Sequence, residues 1–349
     1  MHNLIKMAGS KVSSSNIRLS VCIPIYNFGE FIGETLESII SQATDEVEIV
    51  VVDGGSTDNT QDVIRKYQRT FSQINYLRLD ERGGIDADMA KTIEIAKGDY
   101  CWTFGGDDIM QPGAIERILG EIESGVDLYL CEDILCTFDL RPIRKHQILS
   151  FDIDTILDLC AGQDRKTYFE HANSPAAFFG FCGALIFKKS RWFECEKHRV
   201  FNGTCWAQAA RFLEMIPHGL IVKYISQPLL KKRSDNDSFS EDGLVRRFGL
   251  EIDGYNKMAD YFFGADSLEA FHIRRSLRAE QTLRHIMNLK LSVSENNRAE
   301  IPLLNSLVAK LYSDASLTNL ILFATYKWAP LGAYKLVKST YRNLKLLSQ

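Results

Sequence analysis

Three apolar segments, each followed by polar residues, constrain the fold of this chain more than any other feature. They are typical of strands buried on both faces, and they span residues 19–25, 47–52 and 100–104. Asp53 directly follows the second segment, and Asp107 and Asp108 follow the third after two glycines. The carboxyl ends of parallel strands meet at one edge of an open sheet, where ligands bind. The sequence therefore predicts carboxylates and glycines together at a ligand-binding edge.

Helical patterns alternate with these strands. Apolar residues recur at helical spacing after each of the first two strands, a further strand is predicted over residues 74–79, and Gly83 and Gly84 open a helix over 85–97. Pro112 fits the first turn of the next helix. This order predicts an α/β fold with a doubly wound sheet. Beyond residue 125 we predict strands over 127–131 and 184–187, and from residue 244 the pattern is helical.

Composition narrows the class of protein. The 349 residues are 45% hydrophobic and 25% charged, as in an ordinary globular protein, and the net charge of -4 gives no indication of nucleic-acid binding. Cys22, Cys101 and Cys182 lie in apolar runs without C-x-x-C spacing, which indicates buried thiols in a reducing compartment. No apolar run approaches the roughly 20 residues that span a bilayer. We therefore expect a cytoplasmic protein.

Asp53 is the first candidate binding residue. A carboxylate at a strand end can accept a hydrogen bond from a pyrimidine N–H or a ribose hydroxyl. The alternative is a residue that caps the turn before the next helix. The Gly-Gly-Ser-Thr-Asp run over residues 54–58 favours a ligand contact for Asp53, and Asp58 either caps the next helix or contacts the ribose.

Asp107 and Asp108 predict a metal site. Two adjacent carboxylates repel each other unless a cation or an open cleft relieves them. A Mg²⁺ or Mn²⁺ ion that bridges them to a diphosphate would satisfy the charges and stabilise a leaving group. The alternative is a solvated acidic turn before the helix that begins near Pro112.

The order and spacing of these motifs resemble those of family 2 glycosyltransferases with the GT-A fold. The resemblance covers roughly residues 19–125, through residues 24–27, 52–58, 82–86, 96–99 and 106–108. It implies a Rossmann-like doubly wound mixed sheet with a helical C-terminal region. It also implies a metal-dependent enzyme that moves a hexose or deoxyhexose from a CDP-, UDP- or GDP-linked donor to a hydroxyl of a growing surface glycan.

The resemblance also assigns roles to residues. It implies that Asp107 and Asp108 hold the metal and the diphosphate, and that the segment containing Arg82 and Asp86 lines the diphosphate and sugar side. The nucleotide would be held by Pro24, Tyr26, Asn27 and Asp53.

This chain departs from the family in two places. Gly105 stands where many members carry the first acid of a D-x-D-D motif. Residues 201–208, which correspond to the segment that holds the catalytic base of inverting members, contain no carboxylate. The acids that remain as alternative bases are Glu132, Asp133, Glu194 and Glu196.

Residues 101–108, 179–187 and 204–208 resemble a subgroup of abequosyltransferases and related O-antigen enzymes. Abequose is a 3,6-dideoxyhexose that is carried on CDP and transferred with an α linkage. The likeness implies retention by front-face attack, in which the departing phosphate takes the proton. Gln208 would then lie beside the anomeric carbon.

Two polar segments have candidate roles. Residues 231–239 follow an apolar run and predict a flexible lid, in which Lys232 or Arg233 contacts the diphosphate and Asn236 the sugar; the alternative is a solvated basic loop.

Residues 326–349 mix lysine, arginine and aromatic residues without an acid, which favours a basic amphipathic helix on an anionic membrane. The alternative is a helix packed on the domain or on another subunit. Membrane contact suits an acceptor carried on polyprenyl diphosphate, at the inner face of the cytoplasmic membrane.

We divide the chain into four parts. Residues 1–17 are a flexible leader, 18–125 the nucleotide-sugar-binding half, 126–243 the acceptor-binding half, and 244–349 a helical region with a basic tail.

Two rival functions remain. A nucleotidyltransferase of similar fold would usually carry a glycine-rich basic loop, which the region after Ile25 lacks. A non-catalytic nucleotide-sugar-binding subunit would explain the missing base.

Overall fold

Parallel strands and helices alternate at the start of the fold. The computed structural model describes residues 16–195, 199–234, 236, 243–314, 316–336, 338 and 340. Its first elements are β1 (Leu19–Ile25), α1 (Ile32–Ile40), β2 (Val47–Asp53), α2 (Thr60–Gln68), β3 (Ile74–Arg78), α3 (Ile85–Ile95) and β4 (Tyr100–Thr103). Strands β1, β2 and β4 are buried along their whole length, as expected of parallel strands covered on both faces.

The second part of the sheet is mixed. It contains β5 (Ile109–Met110), α4 (Ala114–Glu121), β6 (Leu128–Cys136), β7 (Pro142–His146), β8 (Thr155–Asp158), α5 (Gly162–Glu170), β9 (Leu185–Lys188), α6 (Lys189–Glu194), α7 (Ala207–Met215) and β10 (Ile221–Arg233). The described strands form one ten-stranded sheet in the order β3-β2-β1-β4-β9-β6-β10-β5, with β7 on β6 and β8 on β10. Strand β9 pairs antiparallel with both β4 and β6, so it joins the two parts.

The sequence interpretation missed several strands in this second part. Strands β5, β7, β8 and β10 were not predicted, and the expectation that a flexible loop begins at Lys231 was wrong. Lys231, Lys232 and Arg233 lie in β10 and pair with β6. Their charged side chains suggested a solvated loop, but backbone pairing does not depend on side-chain polarity. The rest of the expected lid falls largely outside the described residues, since only positions 234 and 236 are described there.

Helices complete the described chain, as the sequence predicted. They are α8 (Leu244–Phe263), α9 (Leu268–Glu280), α10 (Leu283–Asn296), α11 (Ile301–Leu311) and α12 (Leu317–Trp328). Helix α8 approaches the loop before α7 closely, because a Cβ atom on Gly254 would lie 2.1 Å from Nε1 of Trp206. The same nitrogen donates a hydrogen bond to the carbonyl of Leu250 at 3.2 Å. The C-terminal helices thereby support one wall of the cleft described below.

The two chain ends are described only in part. Residues 1–15 of the expected leader and residues 337, 339 and 341–349 of the basic tail lie outside the described residues. Among the helices that the structure describes, none is both long and apolar enough to cross a bilayer.

Candidate functional site

Asp53 organises the turn at the end of β2. It is completely buried, and its two oxygens accept hydrogen bonds at 2.7 Å from the backbone N–H of Ser56 and from the hydroxyl of Tyr76. Burial, together with the hydrogen bond to Asp53, raises the pKa of Tyr76 well above its usual value, so the phenol remains a donor. The carboxylate predicted to bind the nucleotide therefore also holds its own loop in place.

We expect Asp53→Ala to weaken donor binding by about 1–3 kcal/mol, the range for removing one partner of a buried polar pair. The same change should lower the melting temperature, because Ser56 and Tyr76 lose their acceptor. Calorimetry with a nucleotide donor and a thermal melt measure the two effects. A lower melting temperature with unchanged donor affinity would show that Asp53 acts only in the turn.

The turn after β1 is tied to the turn after β2. Asn27 has a left-handed backbone with φ 58, and its Oδ1 accepts a hydrogen bond from the N–H of Thr57 at 2.8 Å. Asp58 accepts hydrogen bonds at 3.0 Å from the N–H groups of Gly29 and Thr60, at the start of α2. Asp58 therefore bonds the backbone at the start of α2, as expected if it caps that helix, which is one of the two roles that the sequence allowed. The two turns form one cross-linked unit.

A cleft of about 770 Å³ opens beside this unit. Its lining includes five residues that the sequence singled out, namely Pro24, Tyr26, Arg82, Asp86 and Gln208. The guanidinium of Arg82 stacks over the ring of Tyr26, 4.3 Å from its centroid. The structure thus brings the end of β1, the start of α3 and the start of α7 to a single space.

Asp86 links the two sides of the cleft. Its oxygens accept hydrogen bonds from the N–H groups of Cys205 at 3.0 Å and Ala207 at 3.3 Å. Burial raises the pKa of Asp86, and these backbone donors only partly offset that effect. Cys205 has a left-handed backbone with φ 62, a strained state for a residue with a side chain. Asp86 therefore holds the segment that carries Gln208 against α3.

Asp107 and Asp108 lie in the turn between β4 and β5. Asp108 is buried, and its Oδ1 accepts a hydrogen bond from the backbone N–H of Arg233 at 3.1 Å. Burial, with the neighbouring charge of Asp107, raises the pKa of Asp108 to about 8. Burial also raises the pKa of Asp107, whose Oδ2 accepts a hydrogen bond from the amide of Asn236 at 2.9 Å. The pair therefore holds negative charge that the protein alone compensates poorly.

The remaining oxygens of the pair converge on the space beside Gly105. A Cβ atom on Gly105 would lie 2.7 Å from Oδ2 of Asp108 and 3.3 Å from Oδ1 of Asp107. Two converging carboxylate oxygens suit a hard divalent cation such as Mg²⁺ or Mn²⁺. Within the described ranges no group of three or more His, Cys, Asp or Glu side chains is placed to hold a metal. The pair thus fits an ion that takes its other ligands from a diphosphate and water.

Arg233 supports the acid pair from the side. Its Nε donates to the carbonyl of Asp107 at 3.0 Å, and its guanidinium pairs with Glu34 at 2.9 Å and also bonds the carbonyl of Phe138. The ammonium of Lys232 instead lies 4.1 Å over the ring of Phe181, and its charge lowers the pKa of both acids. Of the two cations predicted to contact the diphosphate, the geometry favours Lys232.

Gln208 lies in the first turn of α7 and faces the cleft. Its Nε2 donates to the carbonyl of Phe179 at 3.3 Å, while its buried Oε1 has no hydrogen-bond partner among the described residues. Arg211 follows one turn later, lines the same cleft and donates to the carbonyl of Trp192 at 3.0 Å. The sequence interpretation missed Arg211, although its i,i+3 spacing from Gln208 places both side chains on one helix face.

The alternative bases that the structure describes are placed away from the cleft. Glu132 is buried and lies 2.6 Å from the ammonium of Lys145, and Asp133 is buried and lies 2.9 Å from Nδ1 of His146. Neither acid lines the cleft. Glu194 forms an ion pair with Arg191, and Glu196 lies outside the described residues.

A second, smaller cleft of about 420 Å³ adjoins the first. Thr204 and Leu250 line both clefts. The lining of the second is largely apolar and includes Phe201, Trp206, Val245, Leu303 and Leu307, with Arg246, Asp253 and Lys257 among its polar members. The two clefts therefore meet at Thr204 and Leu250.

The sequence is similar to a known family and to several known proteins. A family model described as glycosyl transferase family 2 matches residues 20–189. The chain is 31% identical over 250 residues to the abequosyltransferase RfbV of Salmonella typhimurium, across 70% of this chain and 75% of that protein. It is 31% identical over 105 residues to the glycosyltransferase GlyG of Streptococcus pneumoniae, across 30% of this chain and 35% of that protein.

Solved structures share the fold. S. aureus TarS 1-349 in complex with UDP-GlcNAc gives a TM-score of 0.56 at 16% identity, across 94% of this chain and 92% of that one. The mannosyltransferase PcManGT of Pyrobaculum calidifontis, in complex with GDP-Man and Mn²⁺, gives a TM-score of 0.51 at 18% identity, across 95% and 88%. The predicted GT-A-type mixed sheet with a helical C-terminal region is confirmed.

Proposed function

The chain belongs to glycosyl transferase family 2, and from this premise we propose that it moves a hexose or deoxyhexose from a nucleotide-diphosphate sugar to a hydroxyl of a lipid-linked surface glycan such as O-antigen. The observation that carries the proposal is the cleft in which the end of β1 and the start of α3 face Gln208 on α7. The nucleotide sugars bound by TarS and PcManGT support this donor class. The similarity to RfbV supports the glycan.

The donor would lie along the carboxyl edge of the sheet. We assign its nucleoside to the turns around Asn27 and Asp53, and its diphosphate to the region between the acid pair and Lys232. A divalent ion held by Asp107 and Asp108 would stabilise the charge that develops on the leaving diphosphate. Arg233 fixes the acid pair through its backbone N–H and its side chain. Asn236 orients Asp107 through its amide.

The acceptor would approach along the wall formed by the loop before α7. The part of this wall that lines the cleft carries no carboxylate within the described residues 199–211. The carboxylates of Asp86 and Asp88 line the cleft from α3, and Asp86 already accepts hydrogen bonds from the wall's backbone. This arrangement supports front-face attack, in which the leaving phosphate accepts the proton of the acceptor hydroxyl. The uncharged amide of Gln208 can hydrogen-bond the sugar or steady positive charge at the anomeric centre. The second cleft offers room for the part of the acceptor that does not react.

Incubating the purified protein with a panel of CDP-, UDP- and GDP-sugars tests the proposal. We expect release of the nucleoside diphosphate from one donor, and faster release when the acceptor glycolipid is added. A nucleotidyltransferase would instead release pyrophosphate from a nucleoside triphosphate, and a binding subunit would bind a donor without turnover. Either of those results would overturn the proposal.

The C-terminal helices support peripheral contact with an anionic membrane. Leu317, Leu320, Ile321 and Trp328 recur at helical spacing on α12, and each is at least half exposed. Lys327 lies in the last turn of α12, and Lys338 follows the helix in the sequence. Other tail residues pack on the protein: Tyr326 is buried, and the hydroxyl of Tyr334 lies 2.9 Å from Oδ1 of Asn288. The described tail therefore packs on the protein in part and leaves an apolar face exposed, and this face supports the proposed membrane contact.

We expect Ile321→Ser combined with Trp328→Ser to reduce binding to phosphatidylglycerol vesicles, because apolar area and basic charge together hold a protein at such a surface. Added salt should weaken binding of the unaltered protein by screening. Vesicle co-sedimentation measures both effects. Leu268→Ser, at an exposed leucine of α9, is the matched control. Equal binding by the double variant and the control would remove α12 from the membrane contact.

A further inference from the structure

Asp88, in the first turns of α3, combines deep burial with an unused hydrogen-bond acceptor. Only 4% of the residue is exposed, and its Oδ1 has no hydrogen-bond partner among the described residues. Asp88 lines the large cleft beside β1. Buried carboxylate oxygens are nearly always hydrogen-bonded, since leaving one unsatisfied costs free energy. A ligand in the cleft is the partner that would remove this cost.

Two glycines give Asp88 access to the nucleotide edge of the sheet. A Cβ atom on Gly54 would lie 2.8 Å from Oδ2 of Asp88, and one on Gly83 would lie 2.6 Å from Oδ1. Gly54 directly follows Asp53 at the end of β2. Asp88 thus points toward the β2 turn, whereas Asp86 on the same helix bonds the backbone before α7.

Asp53 and Asp88 differ in how much hydrogen-bonding capacity remains. Both oxygens of Asp53 already accept a hydrogen bond from the protein. Asp88 has no such pair of donors. Burial raises the pKa of Asp88, and the charge of Asp53 raises it further. The backbone amide of Gly83 and the charge of Arg82 lower this pKa and so offset part of the increase. A hydrogen bond from an N–H or O–H group that enters the cleft therefore stabilises the complex more when Asp88 accepts it than when Asp53 does.

We propose that Asp88 recognises the nucleoside of the donor, by accepting at its carboxylate a hydrogen bond from an N–H of the base or from a ribose hydroxyl. Asp53 then acts indirectly, by holding in place the turn that shapes the nucleoside site. The assignment rests on the proposed function in one respect, that the donor carries a nucleotide. It gives Asp88 a role in selecting the nucleotide rather than in the chemical step.

Calorimetric titration of CDP, UDP and GDP against the unaltered protein and Asp88→Asn tests the proposal. We expect Asp88→Asn to bind the preferred nucleotide about tenfold more weakly, because the amide oxygen can still accept a hydrogen bond but no longer carries the charge that strengthens it. Its melting temperature without ligand should be unchanged or higher, because a buried carboxylate is replaced by a neutral group of the same shape. Glu94→Gln, an exposed carboxylate-to-amide change on α3, is the matched control and should bind normally.

The outcomes separate this inference from the proposed function. Equal nucleotide affinity in Asp88→Asn and the unaltered protein would overturn the role of Asp88 alone. An unliganded Asp88→Asn that melts at lower temperature would show a structural role instead. Failure of the unaltered protein to bind any of the three nucleotides would overturn both proposals. A 2′,3′-dideoxy form of the preferred nucleotide distinguishes a ribose hydroxyl from a base N–H as the partner of Asp88. If the partner is a ribose hydroxyl, removing the hydroxyls should weaken binding to the unaltered protein more than binding to Asp88→Asn; if it is a base N–H, the two losses should be equal.

Discussion

Asp108→Ala is expected to reduce sugar transfer by about two to four orders of magnitude. A bound divalent ion contributes several kcal/mol of charge stabilisation at the leaving group, and each ~1.4 kcal/mol corresponds to a factor of ten in rate. Asp107→Ala should be less severe, because Asp107 is less deeply buried than Asp108. EDTA should reproduce the loss in the unaltered protein. Initial rates of nucleoside diphosphate release measure all three effects, with Asp62→Ala on the exposed surface of α2 as the control.

The raised pKa of Asp108 adds a pH dependence. Its value of about 8 exceeds the ordinary value of 3.8, so the folded protein binds this proton more tightly than the unfolded chain. The stability that the group contributes is therefore present below about pH 4 and is lost as the pH rises through about 8. Without metal, Asp108→Asn should melt at a higher temperature than the unaltered protein at pH 8. Metal affinity should increase with pH up to about 8, because the carboxylate must be ionised to bind. Full activity in EDTA would exclude the metal from the mechanism.

Gln208→Ala is expected to slow turnover by about tenfold to a thousandfold while weakening donor binding much less. Groups that act on charge developing at the reacting centre have effects of this size on the rate. The buried Oε1 of Gln208 faces a cleft and lacks a partner among the described residues, which is the arrangement expected of a group that meets its partner only in the complex. Separate kcat and donor Kd measurements show whether the effect is kinetic. Gln163→Ala, at an exposed position on α5, serves as the control.

The same cleft predicts that the product keeps the anomeric configuration of the donor. NMR of the anomeric proton of the product decides this point. Inversion, together with an inactive variant of a Glu or Asp within residues 130–200, would show that a catalytic base exists and that the acceptor side was placed wrongly. Asp133 is the first acid to replace in that case, since it is buried beside His146.

The first part of the fold could be predicted because its signals are local. Strands β1, β2 and β4 are apolar on both faces, so their composition alone identifies them. Strand β10 was not predicted, because its last residues are charged and their pairing with β6 joins segments about one hundred positions apart. The polarity of a side chain does not reveal which strand its backbone will meet.

The site divides in a similar way. Asp53, Asp107 and Asp108 could be found because each follows a strand directly or after two glycines. The residues that contact and position these acids could not be predicted from the sequence. Tyr76 reaches Asp53 from the neighbouring strand, and the contact of Arg233 with Glu34 joins β10 to α1. Pairs of this kind depend on the packed structure, and a single sequence carries no local signal for them.

The position of Gly105 limits how this site can change. An aspartate at 105, as in the D-x-D-D form of the motif, would place its Cβ 2.7 Å from Oδ2 of Asp108. Asp108 would have to rotate, although its other oxygen is bound to the backbone of β10. A single substitution at 105 would therefore disturb an existing ligand before it supplied a new one. The benefit of an acid at 105 therefore depends on how the carboxylate of Asp108 can move, and we expect substitutions at the two positions to be epistatic.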